Sequence, residues 1–267
     1  MTAALLLGVL AAGSCVRQAG GPVGDEPLWQ AAFRDPSLGT IHLRRRQARP
    51  ARIILFVTGD GGWDDDAMEL ADTLSGEDAL VAGIDIDDWR ATAERSADSC
   101  ADFAGPLGQL AARLRSEEGG REPVVLVGHS AGATVAFVAL AQASAPFAGA
   151  ISLGFAPVLE YPRRPCDAPT FTARRANAAE FALEPSAGQL QRPWWVIQGS
   201  RDRVTPLGDA AAFVEGVHTA HLVQLDGQGH SFAGASGWLP AFRGALASLG
   251  ARRSVRFPRG AAREVPR

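Results

Sequence analysis

The sequence predicts a mostly parallel, doubly wound α/β sheet with helices on both faces. Two observations carry that expectation. Short apolar runs recur at fairly regular intervals, and segments of helical period separate them. The runs are Ile53–Val57, Leu80–Ile86, Val124–Val127, Ala148–Leu153 and Trp194–Ile197, with His221–Leu225 as a sixth. Each is nearly continuous in apolar character, as strands buried on both faces must be. The intervening helical segments are Met68–Leu74, Phe103–Arg115, Thr134–Ala143, Asp209–Val214 and Trp238–Leu249. Ahead of them, Thr40–Arg46 alternates weakly and reads as an outer strand. No internal repeat is visible.

Two segments fall outside the alternation. Residues 157–192 carry several prolines and Cys166 without clear periodicity, and read as a short inserted lid. Residues 251–267 are arginine-rich and read as a solvated tail, with contact to anionic lipid as the alternative. The expected organisation is therefore a leader and tether at 1–25, one catalytic domain at 26–250, and the tail.

The leader rests on an apolar run from Ala3 to Ala12, too short to span a bilayer but of signal-peptide length. It ends at Ala12-Gly13-Ser14-Cys15, which is similar to a bacterial lipoprotein processing site, although alanine stands where leucine is usual. Cys15 is thus a candidate for lipidation. The expected location is the periplasm or an outer-membrane anchor in a Gram-negative cell, with association at a membrane surface. Cys100 and Cys166 then remain, and in an oxidising compartment the two can form one disulfide; two reduced thiols are the alternative.

Composition excludes some chemistry. The chain has 267 residues and a formal net charge of −3, with no basic excess to suggest nucleic acid as a partner. All 26 basic residues are arginine, so Schiff-base catalysis and a phosphate-loop lysine are ruled out. No His-Glu-x-x-His or calcium-loop spacing occurs, and neither a metal nor a cofactor is expected.

The sharpest motif is Gly128-His-Ser-Ala-Gly132, with an apolar strand before it and a helix-forming run after it. That setting is what a Gly-x-Ser-x-Gly nucleophile elbow requires. Glycines let strand and helix approach around a sharply turned Ser130, whose hydroxyl is lifted to the N-terminus of a helix. Such a serine needs a base. In the α/β-hydrolase order the acid and then the histidine follow the serine. Asp202 lies just past the run Trp194–Ile197, and His230 lies in a glycine-flanked loop past the next run. The expected triad is Ser130, His230 and Asp202. His42, His218 and His221 read as surface or packing histidines, and Asp226 as a turn residue.

Acyl transfer also needs two backbone donors aimed at the developing oxyanion. The amide of Ala131, which follows the nucleophile, is one. The loop after Ile53–Val57 supplies the other, from Asp60 or Gly61.

The element Gly59-Asp-Gly-Gly-Trp63, the stretch Val81–Trp89 and the serine elbow resemble the bacterial AcvB/VirJ virulence-protein family of α/β hydrolases. The resemblance runs from about Arg52 to Phe232. It implies a periplasmic protein, with the nucleophile at Ser130, the acid at Asp202 and the histidine at His230. AcvB-type members hydrolyse lysyl-phosphatidylglycerol, and VirJ-type members are linked to type IV secretion. The chain departs at His129 and Ala131, where the family commonly has Tyr and then Phe or Ser.

The functional expectation is an exported serine ester hydrolase acting on a small-molecule or lipid ester. The alternative is a periplasmic binding or assembly protein that keeps the fold. Trp63, Asp64, Asp87 and Asp88 are the candidate substrate-binding residues, with the carboxylates reading a cationic group. Oligomeric state is not legible in the sequence.

Overall fold

The computed structural model describes residues 28–119, 122–143 and 147–250. The leader at 1–25, Cys15 and the tail at 251–267 lie outside the described residues.

The chain begins with two antiparallel strands, β1 (Trp29–Asp35) and β2 (Gly39–Arg45). The buried strand β3 (Arg52–Val57) and helix α1 (Asp65–Ser75) follow, then β4 (Ala79–Ile84), α2 (Ile86–Glu94) and α3 (Ala104–Glu118). Next come β5 (Val124–His129), α4 (Ala131–Gln142) and β6 (Phe147–Leu153). Three short strands, β7 (Val158–Glu160), β8 (Phe171–Arg175) and β9 (Glu180–Pro185), form the insertion. The chain closes with β10 (Trp194–Gly199), α5 (Leu207–Glu215), β11 (Ala220–Leu225) and α6 (Leu239–Gly250).

Eight strands make one sheet in the order β1-β2-β4-β3-β5-β6-β10-β11. Only β2 runs against its neighbours; every pair from β4 to β11 is parallel. The apolar runs explain why. In β3, Ile53, Leu55 and Val57 face one helical layer while Ile54 and Phe56 face the other, and β4 and β5 alternate in the same way. A strand buried on both faces has no place for a polar residue, so the runs read as continuous. Helices α1 and α6 cover one face, and α2, α3, α4 and α5 the other.

Helix α4 is buried from Gly132 to Leu140, on all sides. The sheet covers one side, and the insertion covers another: Leu159, Phe171, Phe181 and Leu183 belong to the same core cluster as Val135 and Phe137. Residues 157–192 are therefore an antiparallel sheet of order β7-β9-β8 with its own apolar face, packed against α4. A helix hydrophobic all round is what such a double cover demands.

Cys100 and Cys166 are joined by a disulfide, with their Cα atoms 4.9 Å apart and their positions separated by 66 in sequence. It ties the start of α3 to the insertion. Closing a loop of that length stabilises by about 4 kcal/mol on chain-entropy grounds. Denaturant titration with and without reductant is expected to show a lower midpoint for the reduced protein. An unchanged midpoint would contradict that stabilisation.

Candidate active site

The elbow forms because two positions have no room for a side chain. A Cβ on Gly128 would lie 2.0 Å from the carbonyl oxygen of Gly132. A Cβ on Gly132 would lie 2.2 Å from the Val57 oxygen, so β3 and the start of α4 touch backbone to backbone. Between them Ser130 takes φ 53° and ψ −122°, a left-handed turn that costs energy in a non-glycine residue. Its amide donates to the Leu153 carbonyl at 2.9 Å, which fixes the turn against β6.

His230 is brought from the loop after β11. The Ser130 Oγ and His230 Nε2 are 2.9 Å apart, and His230 Nδ1 is 2.8 Å from Asp202 Oδ2. A carboxylate only accepts, so Nδ1 carries the proton and Nε2 offers its lone pair to the Ser130 hydroxyl. The structure thus assembles, in one connected chain, the three residues read from the sequence. Asp226 stays apart, accepting from Gln224 in an exposed turn.

Asp202 is held from several directions. Its Oδ1 accepts from the amides of Val204 at 2.9 Å and Thr205 at 2.8 Å, and its Oδ2 accepts from the Thr205 hydroxyl at 2.7 Å. Buried Gln198 on β10 donates to that hydroxyl at 3.0 Å and receives the Phe155 amide at 2.9 Å. Burial pushes the Asp202 carboxyl up, but the Thr205 bonds and His230 outweigh it and hold it below the ordinary carboxylate range. Nothing in the sequence marks Gln198 or Thr205 beyond their closeness to Asp202.

His129 is a second feature hidden from sequence reasoning. Its Nε2–H donates to the His230 carbonyl at 3.1 Å, so the elbow strand holds the backbone of the loop that carries the base. Burial, chiefly, pushes its imidazole pKa down. The signal was present as the departure from Tyr at this position, but only the fold shows what the ring touches.

These two shifts have the same sign for stability. For both groups the unfolded chain binds more protons, so their contribution is present at high pH and lost on acidification. His129 acts first, as pH falls below the ordinary histidine value of about 6.5, and Asp202 acts below about 3.9. The melting temperature is expected to fall through the upper window, and His129→Gln to shrink that fall. A flat profile between neutral pH and the carboxylate range would contradict it.

The acidic loop at the end of β3 stands beside the nucleophile. A Cβ on Gly59 would lie 3.1 Å from Ser130 Cβ. Among the described residues, the backbone amides of Asp60, Gly61 and Ala131 donate to no other backbone group. Gly62 adopts φ 68°, and a Cβ there would lie 2.5 Å from Asp85 Oδ1. That carboxylate is the hub of the loop, accepting from the Trp63 amide at 3.1 Å and capping α2 through Asp87 at 2.9 Å and Asp88 at 3.2 Å.

The four candidate substrate-binding residues each have partners within the fold. Trp63 stacks on His42 with ring centres 4.2 Å apart and packs over Gly83. Asp64 caps α1 through the Ala67 amide at 2.8 Å. Asp87 pairs with Arg90 at 3.2 Å. Asp88 accepts from the Thr40 hydroxyl at 2.6 Å and pairs with Arg34. The carboxylate that adjoins the histidine is Asp66, whose Oδ2 accepts from the Ser231 hydroxyl at 3.0 Å. A cavity of about 680 Å³ lies elsewhere, between α2, the start of α3 and the disulfide, and no triad residue lines it. No group of three or more possible metal ligands occurs among the described residues.

Residues 51–150 match the family model described as bacterial virulence protein (VirJ). Over that stretch the chain resembles the VirJ family. The match holds the glycine loop and the elbow; Asp202 and His230 lie beyond it. A candidate dienelactone hydrolase from Klebsiella pneumoniae subsp. pneumoniae MGH 78578 superposes with a TM-score of 0.61 at 15% identity, over 84% of this chain and 98% of that one. The esterase domain of a Rhodothermus marinus protein gives 0.54 at 14%, over 83% and 98%. Est1E from Butyrivibrio proteoclasticus gives 0.53 at 13%, over 82% and 98%. No curated protein matches the chain. With the sheet order described above, these likenesses define the fold. It is an α/β-hydrolase fold.

Proposed function

We propose that the chain is a serine hydrolase that cleaves carboxylic esters. The observation that carries this reading is the unbroken line of hydrogen bonds from Ser130 through His230 to Asp202. Ser130 Oγ attacks the ester carbonyl while its proton passes to His230 Nε2. The carbonyl π electrons move to oxygen, where the amides of Ala131 and of Asp60 or Gly61 receive the charge. Collapse expels the alkoxide, which takes the proton from His230 and leaves an acyl-serine. Water then attacks that ester with His230 again as base, releasing the acid and restoring the hydroxyl. Asp202 keeps its negative charge throughout and orients the ring.

The favoured substrate is an aminoacyl ester of the lysyl-phosphatidylglycerol kind, met in the periplasm or at a membrane surface by a protein anchored through Cys15. The family resemblance supports that reading. Beside Asp64, Asp87 and Asp88, Asp66 is a further carboxylate that could receive an ammonium, because it borders the histidine loop and forms no ion pair among the described residues. A fluorophosphonate probe tests the nucleophile whatever the substrate: wild type should label at a single serine. Comparison of kcat/KM for an aminoacyl ester and its N-acetylated analogue tests the substrate class. No preference for the charged ester at low salt would leave a general carboxylesterase.

A further inference from the structure

The proposed oxyanion loop carries an acidic side chain, and one half-buried guanidinium engages it. Asp60 supplies one of the two candidate amides, yet its own carboxylate stands on the residue meant to receive negative charge. Arg90, on α2, places Nη1 2.6 Å from Asp60 Oδ1 and 3.2 Å from Asp87 Oδ1. Its Nε and Nη2 both donate to the Glu160 carbonyl in β7, at 3.1 and 2.9 Å. The Arg90 side chain is 16% exposed whereas that of Asp60 is 57% exposed, so the arginine is the fixed partner and the loop residue is held by it.

We propose that Arg90 is a positioning residue for the oxyanion loop. This rests on the ester-hydrolase reading and deepens it. Its guanidinium has two duties. It pins the loop to α2 and to the insertion, which presets the amides before substrate arrives. It also balances the Asp60 carboxylate, which would otherwise oppose the oxyanion. A preset donor loses less to reorganisation than one that must be recruited, and the charge balance is the smaller duty because Asp60 is exposed enough for solvent to screen it. Lysine could supply the charge but not the fork that reaches Asp60 and the Glu160 carbonyl together.

The test is a double-mutant cycle on Arg90→Gln and Asp60→Asn, with Arg90→Lys beside it, reading kcat and KM separately for an aryl ester. Arg90→Gln is expected to lower kcat about 10- to 100-fold, less than the roughly 100- to 1,000-fold of losing an oxyanion donor outright, with KM nearly unchanged. Removing the uncompensated carboxylate should then help: Arg90→Gln with Asp60→Asn is expected to be several-fold faster than Arg90→Gln alone. Arg90→Lys should recover part of the loss. A merely structural arginine would show a lower melting temperature and no such recovery. The proposal is overturned if Arg90→Gln keeps kcat within about twofold of wild type, or if Asp60→Asn makes it slower. Probe labelling of wild type separates the two levels: an unlabelled wild type removes the ester-hydrolase reading and the role of Arg90 with it, whereas a labelled wild type with a fast Arg90→Gln removes only the latter.

Discussion

Ser130→Ala is expected to abolish both probe labelling and ester hydrolysis while leaving the fold intact. The side chain is half-buried, and its hydroxyl bonds only to His230, so the loss to stability should be about 1 kcal/mol or less. In a chain of this size that is roughly 2–4 °C in melting temperature. The strained φ remains, because alanine accepts the left-handed region no better than serine. The chemical cost is of another order. Triad nucleophile knockouts in other enzymes lose on the order of 10⁶ in kcat, or about 8 kcal/mol of barrier. Labelling of the alanine variant at wild-type level would move the nucleophile to another residue.

Asp202→Asn is expected to have the second-largest effect, and on both activity and stability. The asparagine oxygen can accept the two amides now bonded to Oδ1, but its nitrogen must then stand where Oδ2 accepts from Thr205 and His230. A donor facing Nδ1 favours the tautomer with the proton on Nε2, which cannot take one from Ser130. The comparable change in a serine protease costs roughly 10⁴ in kcat. The displaced Thr205 hydroxyl disturbs Gln198 in turn, a buried group that has no water to replace its partner. Steady-state kinetics with thermal melts measure both effects. An Asn variant within tenfold of wild type would mean that His230 is oriented by something other than Asp202.

The triad was legible because each member announces itself locally. Ser130 sits between glycines that backbone contact requires, Asp202 follows a continuous apolar run, and His230 lies in a loop rich in glycine. The parallel sheet was legible for the same reason, since double burial leaves an unbroken run. What escaped is tertiary. Strand β1 has an exposed pattern and pairs only with β2, so no periodic signal marks it. Helix α2 was missed because Ile84-Asp-Ile86 continues the look of a strand; Asp85 ends that strand by capping the helix, a role visible only in its bonds. The partners of the acidic residues were hidden in a related way. A carboxylate past the end of a core strand reads as a substrate contact, whereas its bonds to caps, Thr40 or Arg90 show only in the fold.

The loop of the proposed base is latched to a helix far away in sequence. Ser231 donates to Asp66, and the Gly234 amide donates to Glu69 at 2.6 Å, each bond spanning 165 positions of sequence. Both acceptors lie in α1, which the ribosome delivers long before His230. The base therefore comes from the last fifth of the chain, while the acceptors that hold its loop lie in the first third. On the ester-hydrolase reading, Ser130 has a base only when the segment after β11 is seated on α1, so that two bonds to one helix decide whether the proposed nucleophile and base meet.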